Sequence, residues 1–336
     1  MRKTLNQTPP AARARRPPRT GLKFHRILVP LDFSGFARQA LACAVPLARK
    51  HQAKISLVHV VQPPVVLDAL PDGVSHLPVN TDINTGNLVN MAKARLAALA
   101  TQLLPGDLLD RTVVREGNPA YEVTAAAKAL KADLIVLSTH GRSGLPRLLL
   151  GSTAERIVRH APCSVLTVRR QPGGPALRRW SQEKPVYPER LPWRRMLVPL
   201  DFSLTSLRAL HVAVPLARQS DAQLFLLHVV EPDPYPAGLE GEVLVMPDSA
   251  LPRNAQTLLP RVARRFVPPS VPVTSLIDHG RAADVIVATA EEKGVDLIVL
   301  STHGHTGLER MLMGSTAEQV VRHAKCPVFV VRQARG

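Results

Sequence analysis

The sequence predicts a tandem pair of α/β domains, each a doubly wound, five-stranded parallel sheet flanked by helices. Three observations predict it. The chain has 336 residues, enough for two domains of ordinary size. Its apolar residues are aliphatic: hydrophobic residues make up 45% and aromatics only 4%, the mix of strands buried under helices on both faces. The second half also repeats the first. Ile27-Leu28-Val29-Pro30-Leu31-Asp32-Phe33-Ser34 returns as Met196-Leu197-Val198-Pro199-Leu200-Asp201-Phe202-Ser203, and Leu57-Val58-His59-Val60-Val61 returns as Leu226-Leu227-His228-Val229-Val230, both offset by 169. Farther on the offset is 163: Asp133 to Gly141 matches Asp296 to Gly304, and Gly151-Ser152-Thr153-Ala154-Glu155 matches Gly314-Ser315-Thr316-Ala317-Glu318. The second copy lacks six residues in its middle, which marks a surface loop outside the core.

Each element of the first copy follows in order. An apolar run from Ile27 to Pro30 reads as a strand. A helix is expected from about Ser34 to Lys50, with Ser34 able to cap it and Pro46 (Pro215 in the second copy) kinking it. Lys54 to Val61 is the second strand, followed by a helix from about Leu88 to Leu103. A short third strand spans Arg111 to Glu116. Gly117-Asn118-Pro119-Ala120 then leads into a helix from Ala120 to Ala132, with Pro119 near its first turn. Leu134 to Leu137 is the fourth strand. The last helix starts near Ser152, and Ser164 to Val168 is the fifth strand. Strand–helix alternation with unbroken apolar strands gives a parallel sheet. Such sheets bind ligands beyond the carboxyl ends of their strands.

The expected division is a disordered basic tail at 1–21, a first domain at 22–170, a Pro/Gly-rich basic linker at 171–192 and a second domain at 193–334. The net charge of +17 sits mostly outside the domains. Residues 1–26 hold eight Lys/Arg and no acidic residue, and residues 169–195 hold eight Lys/Arg against Glu183 and Glu189. A folded nucleic-acid groove is therefore not expected; the tail either solubilises the chain or touches an anionic partner through screened attraction. Cys43, Cys163 and Cys326 form no CxxC pair, which suits a reducing compartment. No stretch reads as a signal h-region or a membrane span. A cytoplasmic protein is the expectation.

Three segments fall at strand carboxyl ends. Asp32, just past the first strand, can accept hydrogen bonds from a base amino group or a ribose hydroxyl, or can cap the next helix. Ser138-Thr139-His140-Gly141 follows the fourth strand. Gly151-Ser152-Thr153 opens a helix, where backbone amides and the dipole favour phosphate and the hydroxyls can ligate a divalent cation. The same helix starts, Ser152 to Glu155 and Ser315 to Glu318, also fit capping boxes that need no ligand. No P-loop, dinucleotide fingerprint or nucleophile elbow occurs. His140 and His303 lie close to Ser138 and Ser301, but without a placed acid and base they make no triad. They read as loop residues, and His59 and His228 as satisfied strand-end histidines. No residue is assigned a catalytic role.

In order and twice over, Asp32, Gly117-x-Pro119-Ala120 and Ser138-x-x-Gly141-x9-Gly151-Ser152 resemble the universal stress protein family. Ser138 and Ser301 stand where ATP-binding members carry the first glycine of this pattern. The resemblance implies adenine and ribose contacts from Pro30, Leu31, Asp32, Val60 and Leu137, and phosphate contacts from Gly141, Arg142, Gly151, Ser152 and Thr153. Gly117 and Ser138 belong to the same pattern. In the second domain the corresponding residues are Pro199, Leu200, Asp201, Val229, Gly280, Leu300, Ser301, Gly304, Gly314, Ser315 and Thr316. His305 replaces Arg142 and Ala282 replaces Pro119, so the two sites are expected to differ in affinity.

The implied ligand is ATP, or ADP or AMP, carried with Mg²⁺ or Mn²⁺. The implied role is a nucleotide-dependent stress-response regulator with an unidentified protein partner and at most slow hydrolysis. An interaction protein of the same fold that binds no nucleotide, and a slow ATPase, are the alternatives. The resemblance further implies that the last strands, Val165–Val168 and Val328–Val331, pair within the chain. Whether two tandem chains form a homodimer is left open.

Overall fold

A computed structural model describes residues 22–34, 37–62, 85–139, 150–169, 185, 187–231, 251–302 and 313–332. The first half runs β1 (Arg26–Pro30), α1 (Ala37–His51), β2 (Lys54–Val61), α2 (Thr85–Leu103), β3 (Leu109–Glu116), α3 (Pro119–Ala129), β4 (Leu134–Ser138), α4 (Ser152–His160) and β5 (Ser164–Val168). The second half runs β6 (Arg195–Pro199), α5 (Leu204–Ser220), β7 (Gln223–Val230), α6 (Leu251–Phe266), β8 (Val273–His279), α7 (Ala282–Glu292), β9 (Leu297–Ser301), α8 (Ser315–His323) and β10 (Val328–Val331).

The ten strands form one sheet in the order β3-β2-β1-β4-β5-β10-β9-β6-β7-β8. Every pairing is parallel except at the centre, where β5 and β10 run antiparallel with Phe329 opposite Leu166 and Val330 opposite Val165. Successive strand residues point to opposite faces. Leu134 and Val136 join one core layer with Leu41, Leu96, Leu210 and Leu259. Ile135 and Leu137 join the other with Val123, Val158, Ile286 and Val320. Both layers cross from one half to the other, so the core is continuous through the seam.

Three expectations need correction. First, α1 is described from Ala37, and ahead of it Asp32 Oδ1 accepts the Ser34 backbone N–H at 2.9 Å, closing a local turn. In the second half Asp201 holds Ser203 in the same way at 3.0 Å, and Ser203 then caps α5 by accepting the Ser206 N–H at 3.1 Å. Second, the capping boxes do not form. Gly151 and Gly314 are the N-cap residues, both extended, with no side-chain cap; Ser152 and Ser315 are already inside the helix. Third, the stretch expected to be a linker packs at its end. Tyr187 and Leu191 are buried with Trp193 in the first core layer, and the Tyr187 hydroxyl donates to the Leu103 carbonyl at 2.5 Å. Tail residues 1–21 and linker residues 171–184 lie outside the described residues.

Across the seam, glutamates Glu155 and Glu318 reach the opposite half instead of their own N-caps. Arg159 pairs with Glu318 at 2.8 Å and Arg322 with Glu155 at 2.9 Å. Arg169, which follows β5, donates to the Val321 carbonyl at 2.8 Å and also to the Arg322 carbonyl, at the end of α8. Arg332, which follows β10, donates to the Val158 carbonyl at 2.8 Å and also to the Arg159 carbonyl, at the end of α4. Each cation answers the carbonyls and negative dipole end of the other half's helix.

Candidate functional site

Each half carries a cavity at the carboxyl ends of its strands. The first, of about 370 Å³, is lined by Pro30, Leu31, Asp32, Val60, Leu137, Ser138, Gly151, Ser152 and Thr153 among others. The second, of about 540 Å³, is lined by Pro199, Leu200, Asp201, Val229, Leu300, Ser301, Gly314, Ser315 and Thr316 among others. Both run along the sheet from the end of β2 or β7, past β1 or β6, to the start of α4 or α8. Residues as far apart as Pro30 and Thr153 thus converge because the sheet places β1 between β2 and β4.

The anion-favouring end is the helix start. The Gly151 N–H donates to the Thr139 carbonyl at 3.0 Å and the Gly314 N–H to the Thr302 carbonyl at 2.7 Å, which fixes the entry of α4 and α8. The N-cap glycines supply no side-chain cap, and Ser152, Thr153 and Ser315 are exposed while Thr316 is half-buried. First-turn amides at a helix N-terminus are a ready seat for an anion. A Cβ on Gly151 would lie 3.2 Å from the Thr139 carbonyl oxygen, so this position favours glycine by close approach.

The other end is walled by residues to which the sequence reading gave no place in the site. His59 Nδ1 lies 2.6 Å from the Leu31 carbonyl oxygen, and His228 Nδ1 lies 2.7 Å from that of Leu200. A carbonyl only accepts, so Nδ1 carries the proton in both rings. These are the satisfied strand-end histidines expected, yet both also line the cavities. Phe33 and Phe202 stack on them with ring centroids 4.0 and 4.6 Å apart. Both phenylalanines sit at positive φ, 62° and 63°, a conformation uncommon for a bulky side chain and enriched at functional sites. The signal in the sequence was the identical Leu-Asp-Phe-Ser in both halves.

Gly117 and Gly280 do not line the cavities. They take φ of +133° and +135° at the turns before α3 and α7, a region suited to glycine. Their role in the described structure is to aim those helices. Asn118 then caps α3 by accepting the Ala120 and Tyr121 N–H groups at 3.0 and 3.3 Å. His140, Gly141 and Arg142, with His303, Gly304 and His305, lie outside the described residues. Among the described residues no three His, Cys, Asp or Glu side chains converge as a metal site, and no helix is long and apolar enough to cross a membrane. Burial pushes the Cys43, Cys163 and Cys326 thiols up to about 12, so they act as small apolar side chains.

Comparison with known proteins agrees with this architecture. The family model of the universal stress proteins matches residues 23–169 and again 192–332. A universal stress protein of Methanocaldococcus jannaschii is 35% identical over 146 residues, covering 43% of this chain and 84% of the relative. A universal stress protein of Mycolicibacterium smegmatis is 27% identical over 311 residues, covering 91% of this chain and 96% of the relative. The crystal structure of a universal stress protein from Archaeoglobus fulgidus superposes with a TM-score of 0.62 at 20% identity, covering 91% of this chain and 98% of that one; it shows the shared fold. With one match in each half, the chain belongs to the universal stress protein family.

Proposed function

We propose that the chain is a cytoplasmic, ATP-binding stress-response regulator that holds an adenine nucleotide in each cavity, and that a protein partner reads their occupancy. The observation that supports this reading is the glycine N-cap at the start of α4 and α8, each opening onto a cavity whose far end is apolar and aromatic. A phosphate chain suits the Gly-Ser-Thr end, and a base suits the Leu, Val and His end, joined by Phe202 in the second cavity. Mg²⁺ or Mn²⁺ arrives with the phosphates in this reading, because the protein supplies hydroxyls rather than a carboxylate cluster. Binding, not hydrolysis, is the proposed activity.

The test is isothermal titration of Mg²⁺-ATP into the full chain and into a Ser152→Asp/Ser315→Asp variant. An acidic residue in the first turn suits the helix dipole, so the variant keeps its fold while repelling phosphate. Wild-type binding in the micromolar range, about −8 kcal/mol, that the variant loses is the expected result. Absence of wild-type binding, or a variant that binds as tightly, overturns the proposal.

A further inference from the structure

The two cavities share a backbone but not their charges. Up to the end of β2 and β7 residues correspond at an offset of 169, which places Gln62 against Glu231. From α2 and α6 onward the offset is 163, which places Arg95 against Leu258. The helix packing supports this register: buried Ala92, Leu96 and Ala100 match buried Ala255, Leu259 and Ala263. The bond from Leu104 N–H to the Ala100 carbonyl likewise matches that from Val267 N–H to the Ala263 carbonyl.

In the first half the Arg95 guanidinium lies over the Phe33 ring, 4.5 Å from its centroid. A permanent cation therefore stands on the Phe33 ring, which stacks on the cavity-lining His59. In the second half the apolar Leu258 holds the matching position, Leu258 and Phe202 both line the cavity, and the cavity is larger. At the opposite rim the neutral Gln62 lines the first cavity, where α3 opens with Pro119, which has no N–H. Glu231 lines the second cavity and accepts the Ala282 N–H at 2.8 Å. Its carboxylate thus occupies the start of α7. Both exchanges act in one direction: the second site loses a positive charge and gains a negative one.

Resting on the nucleotide reading above, the geometry points to a division of ligands. The first site takes the polyphosphate nucleotide. The second selects an adenosine-type ligand with few phosphates, a nucleoside or nucleoside monophosphate. In a cavity this size every bound phosphate lies within about one Debye length of the rim at 0.1 M salt, so each added phosphate is disfavoured at the second site and favoured at the first. Two charge changes at such range separate the ATP affinities of the sites by on the order of tenfold or more, and the added apolar area of Leu258 compensates a ligand with little charge.

The test titrates Mg²⁺-ATP, AMP and adenosine separately into the full chain at 50 and 300 mM salt. The expected result is one tight ATP site per chain and a second site about tenfold weaker, with the gap narrowing at high salt and absent for adenosine. The Glu231→Gln/Leu258→Arg variant raises the weak ATP site to within about threefold of the tight one, and Arg95→Leu weakens the tight site alone. Glu231 and Leu258 line the second cavity and Arg95 stands behind the Phe33–His59 stack of the first, and circular dichroism checks that each variant folds. Two equal ATP sites in the wild type, or a weak site unmoved by the double substitution, overturn this inference and leave the nucleotide reading standing. Absence of binding by all three ligands overturns the nucleotide reading and this inference with it.

Discussion

At the seam between the halves, contact after contact has a mirror image; in the cavities the mirror fails. Arg159–Glu318 is mirrored by Arg322–Glu155, and the reach of Arg169 to the end of α8 by that of Arg332 to the end of α4. The cavities instead set Gln62 against Glu231 and Pro119 against Ala282, and behind the Phe33 ring Arg95 stands where the second half has Leu258. The difference follows from what each region touches. A seam residue packs against the other half, so altering one side leaves its partner unmatched. A cavity residue faces the open space of its own half, and nothing in the other half registers its replacement.

The largest test of that comparison removes a side chain on which both halves depend. Phe329 is fully buried, pairs with Leu166 across the seam and lies 6.1 Å from the Phe24 ring. Phe329→Ala is expected to cost about 3–5 kcal/mol in urea unfolding, and a cost below about 1 kcal/mol would mean the seam contributes little. Next come Arg169→Ala and Arg332→Ala, which strip the carbonyl partners from α8 and α4. Each is expected to cost about 1–3 kcal/mol, and the two values should agree closely if the mirror is energetic as well as geometric.

The smallest effect probes a place where the seam itself is uneven. His51 is buried against Phe24 and beside Gln219 of the other half, whereas the matching residue is Ser220. Burial lowers the His51 pKa from 6.5, outweighing the opposing influence of the Leu22 backbone and the Gln219 side chain. The neutral ring is therefore the folded form. Its contribution is complete above pH 6.5 and declines as the pH falls, because the unfolded chain then takes up a proton that the buried ring refuses. Stability from pH 7 to 5 should fall more steeply for wild type than for His51→Gln, by at most about 1.4 kcal/mol per pH unit. Equal slopes would show that His51 takes no part in acid sensitivity.

Local patterns carried most of the fold. Lys54–Val61 and Ser164–Val168 emerge with the bounds the apolar runs suggested, and the repeat arithmetic placed the two cavities. What escaped depends on partners distant in sequence. Ser152 to Glu155 reads locally as a capping box, but the partner of Glu155 is Arg322, on the other half. Tyr187 and Leu191 are spaced among prolines and read as linker, yet their contacts lie in the core and at Leu103. Arg95 and Leu258 follow the six-residue deletion, so neither stands near a motif; only the helix register brings Arg95 over Phe33 and Leu258 to the second cavity.

The antiparallel meeting of β5 and β10 has a further consequence. Halves held together as separate chains would part on dilution, and their melting temperature would rise with protein concentration. Here segment 169–194 tethers one central strand to the half that carries the other, giving a local concentration on the order of millimolar whatever the bulk value. The pairing of the halves is thus a unimolecular property, and the two cavities stay together as one unit from the first copy of the chain to the last.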